Sequence, residues 1–349
     1  MRYAIISVTN VTQTMAGRYV STLPPLPRRQ DLTLAQVMRL SNEEAETMFA
    51  RIRWPETNGE PVCPICSGTA VYNVRRPKGP ARWRCKACVK EFTVTSGTLF
   101  AWNKMPVQTY LAAIAIFCNE VKGKAALALS RDLGTSYKTA FVLAHKIREA
   151  MASEMRGVHV GGDGETVEID GAYFGGYIKL ANHKENRVDR RLAKNQNGKR
   201  KVVVIARERD GITLPGVFPT EASSVGWIAD RVAKGTRIVA DEASSWNSLH
   251  GRYEVDRIDH GQAYSMDGIS SNQAESFFSR LRRAEAGHYH HVAGPYLTRY
   301  AQESAWREDN RRVSNGDQTK NAVALALSSK PSVDFCGYWQ RHLKVGTGD

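Results

Sequence analysis

The pattern of hydrophobic positions divides the chain into a mainly helical first half and a second half in which strands alternate with helices. Ser41 followed by Glu44 is a capping box that predicts a helix start, and the apolar run 107–118 predicts a buried helix. Two further helices, the second reaching Met151, are predicted on either side of a turn at Gly134. This order favours a helix-turn-helix over an ordinary helical hairpin, because a basic, cysteine-rich segment precedes it.

In the second half, short apolar runs predict strands, and the Asp210-Gly211 pair predicts the turn of a hairpin. The expected strands are 166–170, 201–207, 212–218, 237–241 and 253–258, and the expected helices are 223–234, 271–284 and a long helix around 291–312. A mixed sheet with antiparallel members early, parallel members later and helices at its sides fits an RNase H-like architecture. The whole chain is therefore predicted to be an α+β multidomain protein.

Three of these elements carry oxygen ligands for a hard cation. The first strand is predicted to end at Asp170 and then to turn on glycines, a second strand ends at Asp241, and a helix carries Asn272 and Glu275 three residues apart. Mg²⁺ prefers carboxylate oxygens and keeps coordination positions open for substrate phosphate. The three elements are therefore predicted to meet at a site for one or two Mg²⁺ ions that serve phosphoryl transfer.

The composition is ordinary for a soluble protein, but the charge is not. Of 349 residues, 42% are hydrophobic and 24% are charged, whereas the formal net charge is +14 and the pI is near 9.6. Excess positive charge favours polyanionic partners such as double-stranded DNA. The sequence contains no apolar run of about 18 residues and no signal peptide at its start. We therefore expect a cytoplasmic protein with no membrane partner.

Four of the six cysteines form two tight pairs. Cys63 and Cys66 make one C-x-x-C knuckle, and Cys85 and Cys88 make the second after eighteen intervening residues. Two knuckles at this separation supply four thiolates in tetrahedral geometry, which is typical of a closed structural Zn²⁺ site. Strand-like segments between and after the knuckles predict a zinc ribbon of three strands.

Basic and aromatic residues near the knuckles predict a DNA-contacting surface, although zinc ribbons also serve as protein-contact modules. The predicted contacts in the ribbon are Arg75, Arg76, Arg82, Trp83 and Arg84. In the helix-turn-helix they are Tyr137, Lys138 and Thr139, at the start of the second helix. The basic excursion 179–201 is either a disordered loop or an arm that follows DNA phosphates.

These features predict a domain organisation whose boundaries lie at a proline-rich stretch and at a glycine-rich linker. The predicted segments are a disordered extension over 1–30, a helix plus zinc ribbon over 31–100, a helix-turn-helix-like domain over 101–156, a catalytic domain over 165–312 and a C-terminal tail over 313–349.

Several motifs together make the chain similar to a known family. The sequence resembles the zinc-ribbon insertion-sequence transposases of the ISXO type, which have an RNase H-like Asp-Asp-Glu/Asn catalytic domain. The likeness extends from about residue 31 to residue 312. The matching motifs are Arg53-Trp-Pro55, the four cysteines, 133–140, Glu168-Ile-Asp170 with Tyr173-Phe-Gly-Gly176, Asp241-Glu-Ala243, Asn272-x-x-Glu275, Leu281-Arg-Arg283 and Glu303-x-x-Trp-Arg307 with Asn310-Arg-Arg312.

The resemblance implies that Asp170, Asp241 and a third residue bind catalytic Mg²⁺ or Mn²⁺. Asn272 matches the asparagine of the family motif, whereas Glu275 follows Asp241 by 34 residues, a separation typical of Asp-Asp-Glu transposases. Both stay open as the third ligand. Two positions depart from the family pattern: Gly171 replaces an acidic residue, and Arg282, which with Arg283 is expected to contact DNA, replaces a lysine.

The resemblance also implies a function. The expected protein is a DNA transposase, a metal-dependent polynucleotidyl transferase that binds the terminal inverted repeats of an insertion sequence and catalyses strand cleavage and strand transfer. Because two element ends must be joined, we expect a homodimer or a higher oligomer on bacterial nucleoid DNA. The alternatives are a domesticated or decayed DNA-binding protein without catalysis, and a nuclease that cuts DNA without joining it.

Overall fold

The computed structural model describes residues 32–335 apart from 75–78, 103, 176–180, 182, 189–194, 196–197, 259–264, 267–268 and 293. The predicted extension over 1–30, the predicted DNA contacts Arg75 and Arg76, and 11 of the 23 residues of the basic excursion 179–201 lie outside the described residues. The chain forms two compact units. The first contains the described residues up to Glu154 together with those from Arg312 onward, and the second runs from Met155 to Arg311.

The helices and strands follow the predicted order. The strands are β1 (Val71–Asn73), β2 (Trp83–Cys85), β3 (Glu91–Phe92), β4 (Thr166–Phe174), β5 (Lys201–Glu208), β6 (Thr213–Phe218), β7 (Arg237–Asp241), β8 (Glu254–Ile258), β9 (Ser265–Met266) and β10 (Ile269–Ser270). The helices are α1 (Leu34–Arg39), α2 (Asn42–Arg53), α3 (Val107–Asn119), α4 (Ala126–Asp132), α5 (Tyr137–Ser153), α6 (Val225–Arg231), α7 (Asn272–Ala284), α8 (Leu297–Asn310) and α9 (Asn315–Ser328).

The first unit contains the predicted three-stranded ribbon, with the antiparallel order β1-β2-β3. The sulfur atoms of Cys63, Cys66, Cys85 and Cys88 all lie within 4.8 Å of one another. The backbone N–H of Cys88 lowers the pKa of the Cys85 thiol to about 7, which favours the thiolate form that binds metal. These four thiols can close a tetrahedral site, and the ribbon is too small to build an independent core.

The helices of the first unit form by the local signals that the sequence displays. The capping box of α2 is confirmed: Ser41 Oγ accepts from the N–H of Glu44 at 3.2 Å, and the N–H of Ser41 donates to Glu44 Oε2 at 2.7 Å. The apolar run of α3 is buried along nearly its whole length, as predicted. Between α4 and α5 the chain turns at Gly134, whose φ of +60° suits glycine.

The segment predicted as a C-terminal tail contains the helix α9. This helix packs against α2, α3 and α5 of the first unit and buries Ala322, Val323 and Ala326. Ser314 caps its start by accepting from the N–H of Asp317 at 3.2 Å. No helix or strand is predicted here from the sequence. The second unit is thus inserted between two parts of the chain that fold together.

The second unit is built on a five-stranded sheet with the order β6-β5-β4-β7-β8. Strands β6, β5 and β4 are antiparallel, whereas β4, β7 and β8 are parallel, which confirms the predicted mixed sheet. Helix α7 packs against β4 and β5, and α8 packs against β6. The predicted helix 223–234 is shorter in the structure, as α6 over Val225–Arg231, and the predicted helix 291–312 is α8 over Leu297–Asn310.

The prediction that the first strand ends at Asp170 is wrong. Strand β4 continues to Phe174, because its pairing with β5 continues up to the pair Phe174–Lys201. Gly171 therefore lies inside a strand and does not begin a turn. Its lack of a side chain has a packing reason: a Cβ atom there would lie 3.0 Å from Cγ and Oε1 of Glu221.

Glu168 connects β4 to the start of α7. It is a charged residue in the middle of an apolar strand, and its exposed fraction is 0%. Its Oε2 atom accepts from the backbone N–H of Ala274 at 2.9 Å, in the first turn of a helix whose N-cap residue, Ser271, makes no side-chain cap. Its Oε1 atom lies 3.4 Å from the guanidinium of Arg209. Glu168 thus replaces the missing cap and fixes α7 to the central strand.

None of the helices in the described part of the chain is both long and apolar enough to cross a membrane.

We expect the first unit to bind about one Zn²⁺ per chain through its four clustered thiolates. Cys85→Ser should abolish zinc binding and loosen the ribbon, measured by elemental analysis and by hydrogen exchange of residues 63–92. The matched control is Cys118→Ser, which changes a buried cysteine outside the cluster. Equal zinc content in both variants and the wild type would contradict the assignment.

We expect Glu168→Ala to lower the free energy of unfolding by about 2–4 kcal/mol, since it removes a buried helix cap together with the partner of Arg209. The control is Glu165→Ala at an exposed position nearby, where the change should stay within about 0.5 kcal/mol. Denaturant unfolding measures both. A loss no larger than that of the control would show that the cap does not stabilise the unit.

Candidate active site

A cavity of about 530 Å³ opens where β4, β7 and α7 of the second unit approach one another. It is lined by residues of three kinds: carboxylates, basic side chains at its side, and small or apolar groups. They are Asp170, Gly171, Asp241, Glu275, Phe278, Ser279, Arg282 and Arg283. Two predicted metal ligands from the sheet, one candidate third ligand and both predicted arginines therefore share one pocket.

The sheet register places the two aspartates side by side. Strands β4 and β7 are parallel, and the last pair of their ladder is Ile169 with Ala240. The next residues are Asp170 and Asp241, so the two side chains point to the same face from adjacent strands. Asp170 lies within β4, whereas Asp241 is the last residue of β7. A parallel pair of strands thus gives a fixed separation between two groups that are 71 residues apart in sequence.

Helix α7 supplies the third carboxylate. Glu275 lies in its first turn and lines the pocket, while Phe278 is buried on the same side one turn later. Asn272 is the first residue of the helix, is exposed, and is not among the residues that line the pocket. Glu275 therefore lies in the same pocket as the two aspartates, whereas Asn272 lies at the N-terminal end of the helix and does not line the pocket.

The clustering of negative charge changes the chemistry of Asp170. Burial, together with the neighbouring charges of Asp241 and Glu275, raises the pKa of its carboxyl to about 7. The N–H of Gly171, which donates to Asp170 Oδ1 at 2.7 Å, and the charge of Arg282 act in the opposite direction without cancelling the effect. The carboxylates of this pocket repel one another, and a bound cation would supply the positive charge that offsets this repulsion.

Asp241 is held on both its side chain and its backbone. Its Oδ1 atom accepts from the indole Nε1–H of Trp246 at 2.6 Å and from the N–H of Ala243 at 3.2 Å. Its carbonyl oxygen accepts from Nη1 of Arg257 at 2.6 Å. None of these partners is recognisable from the sequence, since Trp246 has the pattern of an ordinary core residue.

A further carboxylate, that of Glu221, lies next to Gly171 of β4. Glu221 follows β6, and burial together with the charge of Asp241 raises the pKa of its carboxyl. Ser245 donates to its Oε2 atom at 3.2 Å. Glu221 occupies the space next to Gly171, so its side chain lies beside the strand that carries Asp170.

The predicted DNA contacts of the first unit differ in their surroundings. Arg82 lies 3.8 Å from Glu91, and Nε of Arg84 donates to the carbonyl of Val89 at 3.2 Å. The ring of Trp83 packs edge-on against Trp54 with ring centres 5.7 Å apart, so this side chain contributes to the ribbon's aromatic cluster. At the start of α5, Tyr137 and Lys138 are exposed, whereas the hydroxyl of Thr139 lies 2.9 Å from that of Ser136.

Comparison with known proteins gives matches over both units. Residues 40–91 match the transposase zinc-ribbon domain, and residues 162–309 match the ISXO2-like transposase domain. A protein described as an uncharacterized protein in transposable element ISH50, from Halobacterium salinarum, is 24% identical over 298 residues, which cover 82% of this chain and 98% of the relative. No solved structure matches the chain.

The zinc-ribbon match contains all four clustered cysteines, and the transposase-domain match contains Asp170, Asp241 and Glu275. The two matched regions occur in the order that the sequence motifs predict. This chain therefore belongs to the zinc-ribbon insertion-sequence transposases of the ISXO type.

Proposed function

We propose that this protein catalyses metal-dependent cleavage of DNA at the ends of an insertion sequence and transfer of the freed strand to target DNA. The observation that supports this most directly is the shared pocket of Asp170, Asp241 and Glu275 with two arginines beside it. We further propose that the catalytic unit is RNase H-like, since its five-stranded mixed sheet places the first carboxylate on the central strand and the second on the strand next to it.

Asp170, Asp241 and Glu275 are the residues that would hold Mg²⁺ or Mn²⁺. The raised pKa of Asp170 fits this role, because the cluster lacks a counter-charge that a cation supplies. Among the described residues, the four cysteines form the one cluster of three or more ligand atoms, and the three carboxylates share a pocket without forming such a cluster in the metal-free protein. When bound, such ions activate a water or a 3′-hydroxyl oxygen and stabilise charge at phosphorus.

The protein's own residues position the DNA. Arg282 and Arg283 are exposed at the side of the pocket, on the last turn of α7, where their guanidinium groups bind phosphates that flank the reacting one. Phe278 and Ser279 lie between these arginines and Glu275 along the helix. The spacing holds a phosphate backbone alongside the carboxylates, which limits the reacting phosphorus to one orientation.

The first unit is proposed to recognise the terminal inverted repeats. The exposed residues Tyr137 and Lys138 lie at the start of α5, the second helix of the helix-turn-helix, which is the part that reaches base edges in such motifs. Arg82 directly precedes β2 and Arg84 lies within it, and the alternation of an extended strand puts Trp83 on the opposite face, so the two arginines provide the phosphate contacts. Joining two ends implies a dimer or larger assembly on DNA.

We expect Asp170→Asn, Asp241→Asn and Glu275→Gln each to reduce strand cleavage and joining by about 10³-fold, because each removes a charged metal ligand. Asn272→Ala should change the rate less than about threefold, since Asn272 does not line the pocket. The assay uses a labelled duplex carrying the element's terminal repeat with Mg²⁺, and a gel-shift control checks that DNA binding is retained.

Three results would redirect this proposal. Loss of activity in Asn272→Ala with activity retained in Glu275→Gln would assign the third ligand to Asn272. Tight binding without cutting by any form, including the wild type, would establish a non-catalytic DNA-binding protein. Cutting that never leads to joined products would establish a nuclease.

We expect the stability of the metal-free protein to fall as the pH rises from about 4 to about 7, relative to Asp170→Asn. In this window the unfolded chain has released the Asp170 proton, whereas the folded chain, with a pKa of about 7, still holds it. The variant should therefore melt about 3 °C or more above the wild type at pH 8 and show a smaller difference at pH 5. Mg²⁺ should raise the wild-type melting temperature at pH 8. A pH-independent difference would contradict the cause assigned to the shift.

A further inference from the structure

We propose that Trp246 is a positioning residue for Asp241, and that its indole N–H fixes Oδ1 so that Oδ2 is the oxygen presented to a metal ion. This inference rests on the proposed catalytic function and deepens it. Trp246 lies five residues after Asp241, in the 3-10 segment Ser244–Gly251 that follows β7.

The contact has the geometry of a strong, one-directional hydrogen bond. The distance from Nε1 of Trp246 to Oδ1 of Asp241 is 2.6 Å, shorter than an ordinary N–H···O bond, and the exposed fraction of Trp246 is 0%. An indole N–H donates, never accepts and does not titrate. The bond therefore holds the carboxylate in one orientation.

Both hydrogen bonds to the Asp241 side chain end on the same oxygen. The N–H of Ala243 also donates to Oδ1, at 3.2 Å, and no described residue donates to Oδ2. Two donors reduce the electron density on Oδ1 and occupy its lone pairs, so Oδ2 is the better metal ligand. The arrangement thus predicts that Asp241 coordinates through one oxygen only.

The backbone around Asp241 is fixed from the opposite side by Arg257. Its Nη1 atom donates to the carbonyls of Asp241 at 2.6 Å and Ala243 at 3.1 Å, and its Nη2 atom donates to Oδ1 of Asn247 at 2.8 Å. With the main chain held in this way, the rotation of the Asp241 side chain is the remaining freedom, and the indole removes it. The repulsion between Asp170 and Asp241 would otherwise favour other orientations of the carboxylate when no cation is bound.

A second tryptophan shows that burial alone does not explain the contact. Trp306 belongs to the same unit and is also 0% exposed, yet its Nε1 atom has no hydrogen-bond partner among the residues that the structure describes. The fold therefore tolerates an unpaired buried indole N–H, and Trp246 could have filled the core in the same manner. Its N–H is instead aimed at a carboxylate of the candidate active site.

The test compares Trp246→Phe with Trp306→Phe, which remove the same indole volume from the same unit. Outer-shell partners of metal ligands typically change metal affinity by about 10- to 100-fold. We expect Trp246→Phe to raise the Mg²⁺ concentration for half-maximal DNA cleavage by about that factor, and Trp306→Phe to leave it within about threefold of the wild type. An equal Mg²⁺ requirement in both variants would overturn the inference.

A spectroscopic measurement on the wild-type protein tests the contact without relying on activity. The indole N–H resonance of Trp246 is assigned in an amide correlation spectrum by its absence in Trp246→Phe. Mg²⁺ should shift this resonance and Mn²⁺ should broaden it at lower concentrations than the indole resonances of the other tryptophans, while Asp241→Asn should abolish both effects. If the wild type cuts DNA but this resonance does not respond to either ion, Trp246 does not act through Asp241.

If Trp246→Phe does not fold, position 246 is replaced with 3-benzothienylalanine, which keeps the ring shape and lacks the N–H. The expected result is again an increased Mg²⁺ requirement of about 10- to 100-fold with an unchanged melting temperature. A wild-type Mg²⁺ requirement in this form would overturn the inference. Failure of the proposed function itself gives a different result, in which the wild type neither cuts DNA nor responds to either ion in the spectrum.

Discussion

The parallel pairing of β4 with β7 is the constraint on which the candidate active site depends. It brings Asp170 and Asp241 to neighbouring strands on one face, where burial and the charge of Asp241 raise the pKa of the Asp170 carboxyl and make its ionisation costly. Such a pair is stable only if the surrounding structure prevents it from separating. The second unit provides this through the antiparallel ladder of β4 with β5, through the cap that Glu168 places on α7, and through the hydrogen bonds that hold Asp241.

Much of the fold follows from local patterns. The strands at 201–208, 213–218, 237–241 and 254–258 were predictable because each is a short apolar run, and the direction of pairing followed from the hairpin turn and the intervening helices. The capping box at Ser41 and the cysteine spacing were equally direct. The end of β4 was not predictable, because glycines at 171 and 175 are typical of turns and only the pairing with β5 shows that the strand continues. Helix α9 was missed because it lies outside every motif that the family resemblance contains.

The residues of the candidate active site were also partly predictable from the sequence. The sequence was sufficient to predict that Asp170 and Asp241 lie in strands and that Asn272 and Glu275 lie on one helix. Residues three apart occupy neighbouring parts of a helix surface, so this spacing does not distinguish Asn272 from Glu275 as the third ligand. The choice between them depends on where the helix begins relative to the sheet, and Glu168, which fixes that point, is a long-range contact. The assignment of Glu275 stays a prediction. Glu221 and Trp246 were not recognised because a glutamate in a turn and a tryptophan after a strand carry no periodic signal.

The insertion of the second unit between two parts of the first has a consequence for synthesis on the ribosome. Helix α9 packs against α2, α3 and α5, yet it is made after all of the second unit. During translation the ribbon and the early helices emerge without this partner, and the second unit is complete before the first unit is. A chain shortened by a premature stop near residue 312 would therefore keep every carboxylate of the pocket and lose the helix that completes the other unit. Full-length translation is thus a structural requirement for the proposed DNA-recognition unit, although its zinc ribbon is encoded in the first third of the chain.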